Sequence, residues 1–285
     1  MPHLNATRKG WQNEHLGLFI LSKLAFCASP VTVSDDLGSD FFCCLFKIGK
    51  QRDTEVVLPL SSFAIQIKST TGPFDVTDKI RYLSELEVPY FVGVVERPTL
   101  ALSIYSGEYL PLIFSEKGLP RRLRIKLSNR SVSLSQYNER FGHKRFRILF
   151  PRVATVRAGA STADIRRVVQ VLQKLCRRIQ GNIATRRSEE HVYSVRGRHP
   201  TYIMAGPGSV KVFRDNFYKR LAEVFYNFDW LRQYQRRRLD LGEVQIYDEF
   251  FRKLKKHGAK MPALVRKRHG VLMRALSEPG SGRDS

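Results

Sequence analysis

Asp40 and Lys68 are the side chains in this chain best suited to chemistry. A carboxylate is a hard oxygen ligand of the kind Mg²⁺ or Mn²⁺ takes, and an ammonium beside the ion can orient a bound water. Gln66 stands two residues before Lys68 and adds an amide oxygen that can meet a cation without bringing charge. Between them lies Ile67, whose backbone carbonyl is a further neutral oxygen. The chemistry these types suit is the activation of water at a bound divalent ion.

Such a set works only if two strands bring it together. Phe41 to Ile48 and Phe63 to Ile67 are short runs of aromatic and β-branched residues, bounded by Gly49 and by Ser and Thr clusters. That pattern predicts two strands of a hairpin. Both runs are apolar on both faces, so they should lie inside a sheet covered by helices. A turn centred on Asp53 and Thr54 sets Asp40 opposite Ile67. Gln66 and Lys68 then share one face, with Phe63, Ile65 and Ile67 on the other. Pro59 or a bulge would move this register by a residue or two.

The run G-S-D, a strand, a polar break, and then F-A-I-Q-I-K-S-T resembles the PD-(D/E)xK nuclease superfamily. It is most similar to the branch with Q-x-K in place of E-x-K, found in Mrr-like restriction enzymes and an uncharacterised group of bacterial domains. The resemblance covers roughly residues 10 to 110. It implies an α/β fold with a restriction-endonuclease-like core, α-β-β-β-α-β around a mixed sheet. It also implies hydrolysis of phosphodiester bonds with Mg²⁺ or Mn²⁺. Asp40 would be a direct metal ligand, the Ile67 carbonyl a second, and Glu14 on the first helix a third, direct or through water. Lys68 would orient or help deprotonate the attacking water. Gln66 departs from the commoner acid and would weaken metal affinity.

Charge divides the chain. Residues 1–120 carry 11 Lys and Arg against 13 Asp and Glu, while residues 121–285 carry 38 against 13, so nearly all of the net +23 sits in the second part. Arg outnumbers Lys 28 to 10 there, and guanidinium suits bidentate phosphate contact. A phosphate-backbone surface is the expectation, with DNA ahead of RNA. Arg166, Arg167, Arg177 and Arg178 lie off the apolar stripe of a helix expected at Ser161 to Ile179. Arg236, Arg237 and Arg238 form a second cluster, and Lys255 and Lys256 belong to a third. The domain reading is a nuclease-like domain over 1–120, a basic and mainly helical nucleic-acid-binding region over 121–276, and a disordered Gly/Ser-rich tail over 277–285.

The remaining elements follow from periodicity. Trp11 to Phe26 reads as a helix with Trp11, Leu18, Leu21 and Ala25 on one stripe. Glu14 falls on that stripe, where a carboxylate is costly unless it is paired, bound to a cation or able to reach solvent. Pro30 to Ser34 reads as a short strand or extended lead-in, with Asp35 and Asp36 in a turn. Ile80, Leu83 and Leu86 mark a short helix ended by Pro89. Tyr90 to Val95 and Leu100 to Tyr105 read as strands, and the helix before Tyr90 favours a parallel crossover. Arg122 to Leu127 and Arg145 to Phe150 alternate as strands that extend the first sheet or begin a second. Gln180 to Pro207 reads as irregular, and Phe217 to Leu231 as a helix with Phe217, Leu221, Val224, Phe228 and Leu231 inward.

Cys27, Cys43, Cys44 and Cys176 show neither disulfide-framework nor zinc spacing and read as reduced core residues. No apolar run reaches about 18 residues, so no membrane span is expected. The first ten residues lack a signal core, which suggests the cytoplasm. A homodimer is compatible with all of this, and degradation of foreign DNA is the setting the resemblance implies. Two other functions fit the same residues: a nuclease-fold protein that binds nucleic acid without cutting, and a basic surface for an acidic protein or a membrane.

Overall fold

The computed structural model describes residues 2–30, 38–52, 54–115, 119–187, 192–195, 201–204, 241–258 and 261–277, together with Arg214, Phe217, Tyr218, Leu221, Ala222 and Phe225. The chain divides into two compact units, Met1–Pro207 and Gly208–Ser285.

The first unit is α/β. Its helices are α1 (Pro2–Leu21), α2 (Ile80–Glu85), α3 (Leu110–Phe114) and α4 (Thr162–Arg187). Its mixed sheet holds β1 (Ala25–Ala28), β2 (Phe41–Gln51), β3 (Thr54–Lys68), β4 (Phe74–Asp75), β5 (Tyr90–Glu96), β6 (Ala101–Ser106), β7 (Arg122–Ser128), β8 (Asn138–Arg140) and β9 (Arg145–Arg157). Their order is β1-β2-β3-β5-β6-β9-β7-β4, with β8 paired to β9. The strand β5, Y-F-V-G-V-V-E, is buried over its first six residues, as a strand covered on both faces must be. The expected crossover is present: β3 and β5 are parallel and joined through a short 3-10 turn (Thr77–Lys79) and α2. With β4 and that turn set aside, the first six elements run α-β-β-β-α-β.

Two cores flank this sheet. On one face Ile20 and Leu21 of α1, with Leu172, Leu175 and Ile179 of α4, pack on Phe63, Ile65, Ile67 and Phe91. On the other, Leu83 of α2 and Leu110 and Ile113 of α3 pack with Ala64, Val92, Tyr105 and Phe150. The helix α4 opens with a reciprocal cap, since the Asp164 amide donates to the Ser161 hydroxyl and that hydroxyl donates to the Asp164 carboxylate.

Several expectations change here. The first helix ends at Leu21, not Phe26, because Ala25 to Ala28 pairs with β2 instead. Trp11 is 61% exposed, and the buried stripe runs through Asn13, Gly17, Ile20 and Leu21. A strand not expected there, β1, precedes Pro30, and residues 31–37, with the expected lead-in and Asp35 and Asp36, lie outside the described residues. The boundary expected near residue 120 is absent, because β7 and β9 join the same sheet and the division comes after Pro207. Nor is Gln180 to Pro207 wholly irregular: α4 continues to Arg187, and β10 (Val192–Val195) pairs with β11 (Thr201–Met204).

The second unit contains α5 (Leu241–Lys256) and α6 (Ala263–Ser277). Val244, Tyr247, Phe251 and Leu254 recur at helical spacing and bury against Ala222, Phe225, Val265 and Leu272. Phe217, Tyr218, Leu221, Ala222 and Phe225 are helical, but Phe225 is the buried anchor while Phe217 is exposed. Val224, Phe228, Leu231, the Arg236–Arg238 cluster and the tail beyond Ser277 lie outside the described residues.

Candidate active site

The G-S-D segment enters β2 through a backbone only glycine takes easily. Gly38 has φ +90°, in the left-handed region. Its carbonyl oxygen lies 2.9 Å from the Tyr90 hydroxyl, and the Ser39 and Tyr82 hydroxyls are 2.5 Å apart. Two tyrosines, one from β5 and one from α2, thus hold the residues that lead into Asp40.

Asp40 contacts β3 twice. Its amide donates to the Ile65 carbonyl at 2.9 Å, and its Oδ2 accepts from the Ile67 amide at 2.6 Å. The carboxylate thereby takes a ladder position next to the residue that separates Gln66 from Lys68. The register differs from the expected one. The turn joins Gln51 to Thr54, which moves every partner back by two residues from the expected register, and a bulge between Cys44 and Phe46 returns one of them. Phe41 therefore pairs with Ile65, and the Asp40 side chain reaches forward to Ile67 instead of standing directly opposite it.

The direction of the Ile67 carbonyl follows from strand geometry. A residue's N–H and C=O leave a strand on the same side, and successive residues alternate. The Ile65 carbonyl and Ile67 amide both point toward Asp40, while the Ala64 amide bonds to Pro89 on the β5 side. The Ile67 carbonyl accordingly faces the edge where Asp40 sits.

The expected split of faces is present. Ile65 and Ile67 are buried with α1 and α4, and Ala64 lies in the opposite core. Gln66 is only 6% exposed, and its Oε1 lies 3.0 Å from the Tyr90 hydroxyl. Lys68 is half-buried, with its ammonium 4.9 Å from the centre of the Phe74 ring. Glu14 is half-buried on α1, one turn before Gly17. A Cβ on Gly17 would stand 3.1 Å from the Ile67 side chain, so glycine lets the helix close on that strand. Glu14 therefore approaches from the α1 face and Lys68 lies on the other.

Sequence reasoning passed over a groove at the end of these strands. Its volume is about 920 Å³, and its walls include Ser69, Thr70, Arg97, Tyr105, Asn129 and Arg152. Arg97 donates from Nε to Asn13 at 2.7 Å, tying α1 to the end of β5. The Tyr105 hydroxyl donates to Asn129 at 2.9 Å. Burial raises the Tyr105 pKa, and the nearby Arg152 opposes that. Arg97 and Arg152 belong to no basic run, so only the fold brings both to one groove.

The basic residues picked from sequence divide in the fold. Arg166, Arg167 and Arg177 are exposed on α4, with Arg167 paired to Asp164 at 3.2 Å. Arg178 is not a free surface cation, because it pairs with Glu108, which is 4% exposed. Lys255 and Lys256 are exposed at the end of α5 in the second unit.

Among the described residues, no three His, Cys, Asp or Glu side chains cluster as a metal site, and no helix is long and apolar enough to cross a membrane. No family model matches the chain, and no curated protein or solved structure matches it either.

Proposed function

We propose that the first unit is a metal-dependent nuclease of the PD-(D/E)xK type, with DNA the favoured substrate over RNA. One observation carries the reading: the Asp40 carboxylate is bonded to the amide of the residue between Gln66 and Lys68. The Ile67 carbonyl faces the same edge, so a carboxylate and a neutral oxygen converge there. That donor set fits Mg²⁺ or Mn²⁺, which keep several waters and need few protein ligands. Asp40, the Ile67 carbonyl and Glu14 would hold the ion. Bound there, it would neutralise phosphoryl charge and lower the pKa of a bound water. Lys68 would orient that water or contact a phosphate oxygen. Gln66 keeps its place through Tyr90, which also anchors Gly38. The groove with Arg97 and Arg152 begins at Ser69, directly after Lys68, and supplies cations where a strand would run.

A second reading is a nuclease-fold protein that binds nucleic acid without cutting it. Gln66 favours it, being neutral where an acid is commoner, with its oxygen already engaged by Tyr90.

Plasmid DNA and RNA incubated with the protein in Mg²⁺ or Mn²⁺ separate the two. Cleavage lost in both Asp40→Ala and Lys68→Ala, with binding retained, supports the nuclease. Binding that falls steeply with salt, with no cleavage by any form, supports the second reading. Cleavage unaffected by either substitution refutes the site.

A further inference from the structure

We infer that Cys27 and Cys43 form a reactive dithiol that low-molecular-weight disulfides oxidise to a cross-strand disulfide. The two residues are direct partners in the antiparallel pairing of β1 with β2. Such pairs alternate between hydrogen-bonded and non-hydrogen-bonded, and the non-bonded ones come closest, at about 4.5 Å between Cα atoms. The phase of this ladder is set by the Phe46 amide, which donates to Leu24 at 3.3 Å. Positions 24 and 46, 26 and 44, and 28 and 42 are therefore bonded pairs, and Cys27 with Cys43 is a non-bonded one. Its expected Cα separation falls inside the range of about 4.4–6.8 Å that a disulfide spans.

The sulfurs are already close. The Cys43 thiol donates to the Cys27 sulfur at 3.3 Å, so bonding needs an approach of only about 1.3 Å. Access is unequal: Cys27 is half-exposed and Cys43 is 2% exposed. The hydrogen bond from Cys43 lowers the Cys27 pKa against the opposing effect of burial. The same bond and burial push Cys43 up. Cys27 is thus the attacking group and Cys43 the resolving one.

The exchange balances without any further reactant. The Cys27 thiolate attacks one sulfur of oxidised glutathione and expels one glutathione thiolate, leaving a mixed disulfide. Cys43 loses its proton to solvent, attacks the Cys27 sulfur and expels the second glutathione. Two protein thiols become one disulfide, and one small disulfide becomes two thiols. Cys176 is buried, and Cys44 is partnered with Phe26 rather than with a cysteine, so neither competes by register.

The test uses the full chain in oxidised glutathione, trapped with acid and N-ethylmaleimide and mapped by proteolysis and mass spectrometry. The expected result is one Cys27–Cys43 crosslinked peptide, reversed by dithiothreitol, with Cys44 and Cys176 still alkylated. In Cys43→Ser the glutathione should remain on Cys27, and in Cys27→Ser no crosslink should form. Four alkylated thiols in the wild-type protein, or a crosslink that instead joins Cys44 or Cys176, would overturn the inference. Wild-type mapping alone decides it if either variant folds poorly.

Discussion

Replacing Asp40 by Ala and by Asn tests the centre of the proposal, because the two changes remove different things. Ala deletes the acceptor of the Ile67 amide, and that residue is buried. A buried donor left without its partner costs about 1–3 kcal/mol. In a unit of the size of Met1–Pro207, a loss of about 2 kcal/mol lowers the Tm by about 4–8 °C. Asn keeps an acceptor oxygen but loses the charge, and charge-assisted bonds are about twice as strong as neutral ones. Asn should therefore recover about half of the stability that Ala loses. Cleavage behaves differently, since a metal ligand is needed as an anion. Both variants should fall by at least about two orders of magnitude in rate. Scanning calorimetry and plasmid nicking measured on the same preparations read the two effects apart. Full cleavage by Asp40→Asn would refute the ligand role, and an unshifted Tm in Asp40→Ala would refute the carboxylate–amide bond.

Arg178→Ala removes the guanidinium paired with buried Glu108 and should destabilise the first unit by about 3–5 kcal/mol, read as a lower urea midpoint. The paired change Glu108→Leu with Arg178→Met should recover most of that loss. On Asp75, burial raises the pKa, but bonds from Thr77, Arg122 and Arg124 outweigh it and hold the carboxyl down to about 2. A lowered native pKa gives stability above the unfolded value near 3.8 that fades as pH falls toward about 2, so Asp75→Asn should flatten urea midpoints across that window. Arg152→Ala, placed in an Asp40→Asn background to prevent cleavage, should weaken DNA binding and reduce the salt slope by about 1 in fluorescence anisotropy. An unchanged slope would remove the groove from the nucleic-acid surface.

Local patterns made much of the site legible. Strand alternation alone put Gln66 and Lys68 on one face and Ile65 and Ile67 on the other, and the cores keep them there. The pairing itself was less legible, because an early turn at Arg52 moves it by two residues and a bulge at Cys44 returns one, neither leaving a clear signal in composition. Glu14 was marked by its place on an apolar stripe, yet the stripe ran through Gly17 and not Trp11. A helix shows which residues recur, whereas its neighbours decide which of them are covered.

Charge shows the same division. The excess of Arg after residue 120 was plain in composition, but composition cannot tell a solvated cation from one committed to a buried acid. Arg178 meets Glu108 across a large separation in sequence, and Arg97 and Arg152 line one groove because β5, β6 and β9 lie in consecutive order in the sheet. Nor did composition place the division of the chain, since β7 and β9 carry basic outward residues and still complete the first sheet.

By itself the amino-acid order determined the strands β2, β3, β5 and β6 and the helices α2 and α4, the two-residue face code of β3, and the candidates Asp40, Gln66 and Lys68. Only the tertiary structure decided that Asp40 reaches the Ile67 amide, that Glu14 and Lys68 lie on different faces, and that Cys27 meets Cys43. The reason is range: backbone periodicity acts over a few residues, whereas strand register, helix docking and long-range ion pairs depend on where distant segments of the chain come to rest.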